Sequence, residues 1–162
     1  MTGRAPGMTC KRSIDRIYED GSNWDVINFD KNDGGCGASM RSACIGLVFK
    51  SDLQKLVEIS IESGRITHHN PLGYLGAVVS AYFTALAIKG EDPNNWLHLL
   101  LKEALPKAHA YVARSREAEA NLKGGDWQKF EECWKEYAKK RKMSTTEPSV
   151  PVFAEKYEVR ER

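Results

Sequence analysis

The sequence has little of what marks a redox, metal-cluster or nucleic-acid protein. Among 162 residues there are four cysteines, Cys10, Cys36, Cys44 and Cys133, and no Cys-x-x-Cys pair. That excludes a zinc ribbon and a thioredoxin-type site. Four cysteines are also too few for a disulfide-stapled scaffold, so the thiols are expected to be buried and reduced. Neither sign of charge dominates: 24 Lys+Arg against 22 Asp+Glu leave +2, without the clustered basic excess that nucleic acid requires. No apolar run follows Met1, so a cytoplasmic protein without a secretory signal is expected. One stretch, residues 72–88, carries no charge over 17 positions. It falls short of the roughly 20 apolar residues of a spanning helix and contains Tyr74, Ser80, Tyr82 and Thr84. We read it as the central helix of a core, with no membrane partner.

What is present is helical periodicity. Ser51-x-x-Gln54 has the form of a capping box, Leu53, Leu56, Val57 and Ile61 follow at helical spacing, and Gly64 is the expected stop. A second helix begins at Pro71, where a missing N–H is harmless, and ends before Gly90. On it Gly73, Ala77, Ala81 and Ala85 recur every four residues, a groove that lets another backbone approach closely. Asp92 caps and Pro93 opens a third helix to Leu105. Pro106 begins a fourth, to about Leu122, where Gly124-Gly125 breaks it. Asp126 caps a fifth, with Phe130, Cys133, Trp134 and Tyr137 on one stripe. Residues 1–9 and 20–35, rich in Gly, Asn and Asp, read as loops, and residues 144–162 as a loose tail. No strand pattern appears. The fold class is all-α, with one domain over 1–143 followed by the tail.

Three loops hold the candidate chemistry. Gly34-Gly35-Cys36-Gly37-Ala38-Ser39-Met40-Arg41 runs into an apolar helix over residues 38–49. Glycines there allow backbone amides to face an anion such as phosphate. The Gly-Lys-Ser/Thr ending of a Walker loop is absent, and no strand precedes the turn as a Rossmann fingerprint requires. Thr67-His68-His69-Asn70 places two imidazoles, an amide and a hydroxyl before the central helix. Adjacent histidines point apart and do not chelate one ion, so hydrogen bonding to a polar ligand, or capping by Thr67 or Asn70, is expected. Gly3-Arg4-Ala5-Pro6-Gly7-Met8-Thr9 is a third glycine-containing loop. No Gly-x-Ser-x-Gly elbow surrounds Ser39, and no catalytic residue is assigned.

Taken together these loops resemble the ADP-ribosylglycohydrolases, most closely the ADP-ribosylarginine hydrolases. The matching text is the glycine turn with Cys44-Ile45-Gly46-Leu47, and Ser60-Ile61-Glu62-Ser63-Gly64-Arg65-Ile66-Thr67-His68-His69-Asn70-Pro71-Leu72-Gly73-Tyr74-Leu75-Gly76-Ala77. Gly3-Arg4-Ala5-Pro6-Gly7 and Glu158-Val159-Arg160-Glu161-Arg162 resemble flanking family segments. Asn70 and Leu72 stand where arginine-type members often have His and Thr.

The resemblance implies an orthogonal helical bundle that holds ADP-ribose, or an ADP-ribosylated protein, beside two Mg²⁺ ions. It also implies hydrolysis of the N-glycosidic bond between ADP-ribose and arginine. The implied ADP-ribose contacts are Gly7, Met8, Thr9, Gly34, Gly35, Cys36, Gly37, Ser39, Met40, Arg41, His68, His69, Tyr74 and Gly76. The family's metals sit on Asp-Asp-Thr and Asp-x-Asp-Ser/Thr runs, and neither occurs here: there is no Asp-Asp pair, and Asp126 lacks a second carboxylate. The chain therefore reads as an incomplete, central part of such a bundle, without metal ligands and inactive by itself. The alternatives are a non-catalytic ADP-ribose-binding module and a purely structural product. Exposed apolar surface for self-association or for a complementing chain is expected on the helix over residues 72–88.

Overall fold

A computed structural model describes residues 7–20 and 28–153. The Gly3-Arg4-Ala5-Pro6 and Glu158-Val159-Arg160-Glu161-Arg162 segments lie outside the described residues. Among those described there is no strand, and the all-α reading holds. In chain order the helices are α1 (Met8–Asp20), α2 (Gly37–Arg41), α3 (Ala43–Val48), α4 (Leu53–Arg65), α5 (Pro71–Ile88), α6 (Trp96–Leu99), α7 (Leu105–Val112), α8 (Ala118–Lys123) and α9 (Asp126–Lys140).

The long uncharged segment becomes α5, and the other elements are arranged around it. Asn70 caps it, its Oδ1 accepting from Leu72 N at 2.9 Å, and Pro71 takes the first turn. Gly90, at φ 71°, ends it: Gly90 N donates to Ala87 O and Glu91 N to Leu86 O, at 3.1 and 3.0 Å. These bonds satisfy carbonyls that a helix end leaves free. By length and composition α5 could cross a membrane, yet Tyr74, Leu75, Ala77, Val78 and Ala81 are wholly buried in the core.

The small-residue groove works as its spacing requires. A Cβ added to Gly46 of α3 would sit 2.1 Å from the Ala81 carbonyl oxygen, and one added to Gly64 of α4 would sit 2.8 Å from Tyr74 Cβ. Both neighbours therefore reach α5 through glycine. Leu56, Val57 and Ile61 of α4, Leu105, Ala108 and Val112 of α7, and Trp127 and Phe130 of α9 complete the core.

Several local expectations are corrected. Residues 8 and 9 belong to α1, a helix whose polar composition hid it. The helix expected over residues 38–49 is two, divided at buried Ser42, whose hydroxyl donates to Ser39 O at 3.2 Å; serine competes with the helical ladder in this way. Asp52, not Ser51, caps α4, accepting from Lys55 N at 3.0 Å, while Gln54 reaches forward to Glu58. A carboxylate is favoured there by the dipole as well as by the hydrogen bond. Gly64 is a contact notch, and α4 runs one residue past it. Pro93 opens a short 3₁₀ turn under the expected Asp92 cap. Pro106 lies in the first turn of a helix, as expected, but a π-turn over Leu100–Ala104 runs straight into that helix, α7, which ends at Val112 and not near Leu122. Gly125, at φ 90°, precedes α9, leaving Asp126 inside its first turn.

The cysteines are not buried: Cys36, Cys44 and Cys133 are exposed and Cys10 half-buried. On α9 the inward residues are Trp127, Phe130 and Ala138, whereas Cys133 and Tyr137 face outward. The tail is not loose as far as it is described. Val152 N donates to Arg141 O at 2.8 Å, Ser149 N to Asn94 O at 3.1 Å, and the Arg141 guanidinium lies 4.6 Å from the Phe153 ring. Exposed apolar side chains lie chiefly off α5, as on α1 (Ile14, Tyr18) and α3 (Leu47, Val48); of the large ones on α5 only Ile88 is exposed. The central helix spends its apolar surface on its own core.

Gly46→Ala is expected to destabilise the protein by about 3 kcal/mol, because a methyl cannot fit against a backbone carbonyl. Thermal unfolding should show Tm lowered by roughly 5–10 °C; an unchanged Tm would mean that α3 does not approach α5 so closely.

Candidate functional site

Three segments meet at one end of the bundle: the first turn of α1, the glycine turn, and the loop of residues 67–70 between α4 and α5. Each is tied by hydrogen bonds that the local sequence supplies. Asp30 Oδ1 accepts from Asn32 N at 2.8 Å and Asp30 O from Asp33 N at 3.0 Å, folding the chain before the glycines. Asp30 N then donates to His69 O at 3.2 Å, joining that segment to the histidine loop. On the other side buried Ser13 of α1 donates to Thr67 O at 2.8 Å.

At the junction Gly37 and Gly73 are required by contact, whereas a methyl on Gly35 would make ordinary van der Waals contact. A Cβ on Gly37 would lie 2.9 Å from His68 Cε1 and 3.2 Å from Cys10 Sγ. One on Gly35 would lie 3.4 Å from His68 Nε2 and 3.8 Å from Thr9 Oγ1. Gly73 makes room behind, where a Cβ would meet Asp33 O at 2.6 Å and His68 Cβ at 2.7 Å. The His68 ring therefore lies edge-on to bare backbone. Its Nδ1 is engaged by Thr67 Oγ1 at 2.7 Å, which leaves Nε2 toward Gly35. Burial, and secondarily Arg41, lower the His68 pKa, so the ring is neutral at pH 7.

Both rings are buried, His68 at 1% and His69 at 2% exposure. They differ in partners: among the described residues neither ring nitrogen of His69 has a hydrogen-bond partner. Burial, then Arg65, Arg16 and His68, push its pKa down to about 4 against a weaker pull from Asp30.

The structure gathers some of the expected contacts and separates others. Thr9, Gly34, Gly35, Gly37 and His68 come together, with exposed Cys36 on the same turn. Gly7, exposed, precedes α1 and accepts from Lys11 N at 3.1 Å. Met8 and Met40 are exposed side chains at its margin. Ser39 donates to Cys36 O at 2.7 Å and packs on Gly76, so both serve the α2–α5 contact. Arg41 donates to the carbonyls of Ser63 and Gly64 at the end of α4. His69 and Tyr74 are buried like His68, and the Tyr74 hydroxyl donates to Asn121 Oδ1 at 3.0 Å. Missed by sequence reasoning were Asp30 and Asp33 with Arg12 and Arg16 of α1. The arginines' four-residue spacing was their only signal, and it means nothing until the helix is recognised.

Chemically the junction offers donors in one place. The first amides of α1 have no intrahelical acceptors, the glycine turn presents bare backbone, and His68 adds a neutral imidazole. Such a set suits a ligand with phosphate and hydroxyl groups. Among the described residues no group of three or more His, Cys, Asp or Glu side chains could hold a metal. Asp30 and Asp33 are paired with Arg16 and Arg12.

A model of the ADP-ribosylglycohydrolase family matches residues 1–160. The chain is 42% identical over 153 residues to the ADP-ribosylhydrolase ARH1 of Dictyostelium discoideum, covering 88% of this chain and 39% of that protein. It is 33% identical over 141 residues to protein L444 of Acanthamoeba polyphaga mimivirus, covering 85% and 27%. A shorter match, 41% over 61 residues, joins it to the ADP-ribosylhydrolase ARH3 of Gallus gallus. The chain thus spans less than half the length of these curated relatives.

The His69 imidazole should titrate near pH 4 by NMR. Unfolded, a histidine titrates near 6.5, so between these values the unfolded state binds more protons and stability falls as pH falls. The loss is on the order of 3 kcal/mol, complete below pH 4. A midpoint near 6.5 would refute the buried, partnerless placement.

Proposed function

Because the chain belongs to the ADP-ribosylglycohydrolase family, we propose that its glycine turn and histidine loop hold the ADP-ribosyl group of a modified protein. The observation that carries this reading is the convergence of Gly35, Gly37, Thr9 and His68 at one junction. The diphosphate lies against the amides of the glycine turn and the first turn of α1, where aligned N–H groups favour an anion. His68 Nε2 bonds an adjoining oxygen, held in orientation by Thr67.

The reaction this binding serves is hydrolysis of the bond between ADP-ribose and arginine, in the cytoplasm. The four free cysteines agree with that reducing compartment. Mg²⁺ would activate the attacking water in such chemistry. The described residues do not fit a two-ion centre, since no cluster of three ligands forms and Asp30 and Asp33 already face arginines. We therefore assign binding, and no hydrolytic step, to these residues. By themselves they hold ADP-ribose without cleaving its bond to arginine.

Calorimetric titration of ADP-ribose, with Mg²⁺ and with EDTA, tests this reading. Binding of equal affinity in both is expected, with no ADP-ribose released from an ADP-ribosylated arginine substrate. Mg²⁺-dependent uptake or substrate cleavage would overturn the non-catalytic assignment, and no heat in either buffer would overturn the cradle. Gly37→Ala forces the His68 ring and Cys10 aside, and should weaken ADP-ribose binding by about tenfold, about 1.4 kcal/mol.

A further inference from the structure

Asp33 immediately precedes the glycine turn, and its side chain is completely buried. Its partners come from α1. Arg12 Nη2 lies 3.3 Å from Oδ1 and Arg16 Nη1 3.7 Å from Oδ2, while Arg16 Nη2 holds Asp30 at 2.9 Å. Two buried atoms of this cluster, Asp33 Oδ2 and Arg12 Nε, have no hydrogen-bond partner among the described residues. Burial, and secondarily Asp30, raise the Asp33 pKa against the pull of both arginines. A pair in which only the carboxylate is buried, and one of its oxygens lacks a hydrogen bond, is a poor source of stability, because desolvating the acid offsets the attraction. Its contribution must lie elsewhere, and the chain geometry indicates where.

Arg12 and Arg16 are one helical turn apart, about 6 Å along α1, and they reach Asp33 and Asp30 on the opposing strand of loop. Thr9 stands three residues before Arg12 on the same helix, and Gly34 follows Asp33 directly. One charge cluster therefore joins the two sides of the donor ring. On its other flank the loop is already stopped by contact, since the Asp33 carbonyl lies where a Gly73 Cβ would be only 2.6 Å away. On the α1 side the ties among the described residues are the charge cluster, the Ser13 hydrogen bond to Thr67 and the approach of Thr9 and Cys10 to Gly35 and Gly37.

We infer that Asp33, Arg12 and Arg16 form a positioning clamp that sets the gap between the first turn of α1 and the glycine turn for ADP-ribosyl binding. The inference rests on the ADP-ribose reading above. Asp33, whose two carboxylate oxygens face Arg12 and Arg16, does not touch the ligand; it acts through the backbone of Gly34 and Gly35.

The test compares Asp33→Asn, which keeps the shape and removes the charge, with Arg12→Met and Arg12→Lys. ADP-ribose affinity is measured by calorimetry at a temperature where circular dichroism shows each variant folded. Amide hydrogen exchange is followed at residues 8–10 and 34–37. Asp33→Asn and Arg12→Met should each lose about tenfold in affinity, and the double variant no more than either alone. Exchange at the glycine turn should quicken by about tenfold in both, and Arg12→Lys should restore most of the affinity. If Asp33→Asn does not fold, Arg12→Met carries the test, since its side chain is 42% exposed. Wild-type affinity in Asp33→Asn or in Arg12→Met, or Arg12→Lys as weak as Arg12→Met, would overturn the clamp. A wild-type protein that takes up no ADP-ribose overturns the reading it rests on. In that case quickened exchange in Asp33→Asn still supports the clamp, and unchanged exchange overturns it.

Discussion

The close approach of backbones to α5 is the constraint on which the rest depends. Gly46, Gly64 and Gly73 each sit where a single methyl would collide with a carbonyl or a side chain of a neighbouring element. Interiors pack at crystal-like density, so such contacts leave no slack. With α3 and α4 seated against α5, the loop between α4 and α5 has one conformation, and His68 and His69 are carried into place by it. The core helix thus positions the candidate site without contributing a reactive group.

The same packing explains why adjacent histidines have different fates. His68 keeps one nitrogen on Thr67 and turns the other toward bare glycine backbone, whereas His69, equally buried, has no hydrogen-bond partner for either nitrogen among the described residues. Successive side chains at a loop-to-helix junction point in different directions, so one can serve a ligand and the other the core. Tyr74 shows the same division one turn into α5: its ring fills the centre of the bundle and its hydroxyl finds Asn121.

The proposed cradle consists mostly of backbone amides. Amides carry no side-chain handle, so their spacing has to be set by residues behind them. Here Ser13, Asp30 and the Asp33 cluster tie α1, the glycine turn and the histidine loop to one another. Asp30 and Asp33 are paired with arginines in that framework, and among the described residues no group of three metal-ligating side chains forms.

Much of this was legible in the order of residues. The helical class, the central helix with its Asn70 cap and Gly90 end, and the groove of small residues all follow from local rules of spacing and capping. The family was legible as a resemblance, because its longest motif is contiguous. The breaks at Ser42 and at residues 113–117 and the cap at Asp52 go with a side chain bonded to a nearby backbone group, whereas Gly125 enters α9 through its positive φ with no side-chain cap. Tertiary structure alone decided that α1 exists as an ordered helix, that Tyr74 and His69 are core, and that Arg41 closes the end of α4. It also decided that Asp33 is buried between two arginines. The physical reason is that local propensity acts over one or two turns, while burial and charge pairing depend on neighbours dozens of residues away in the chain.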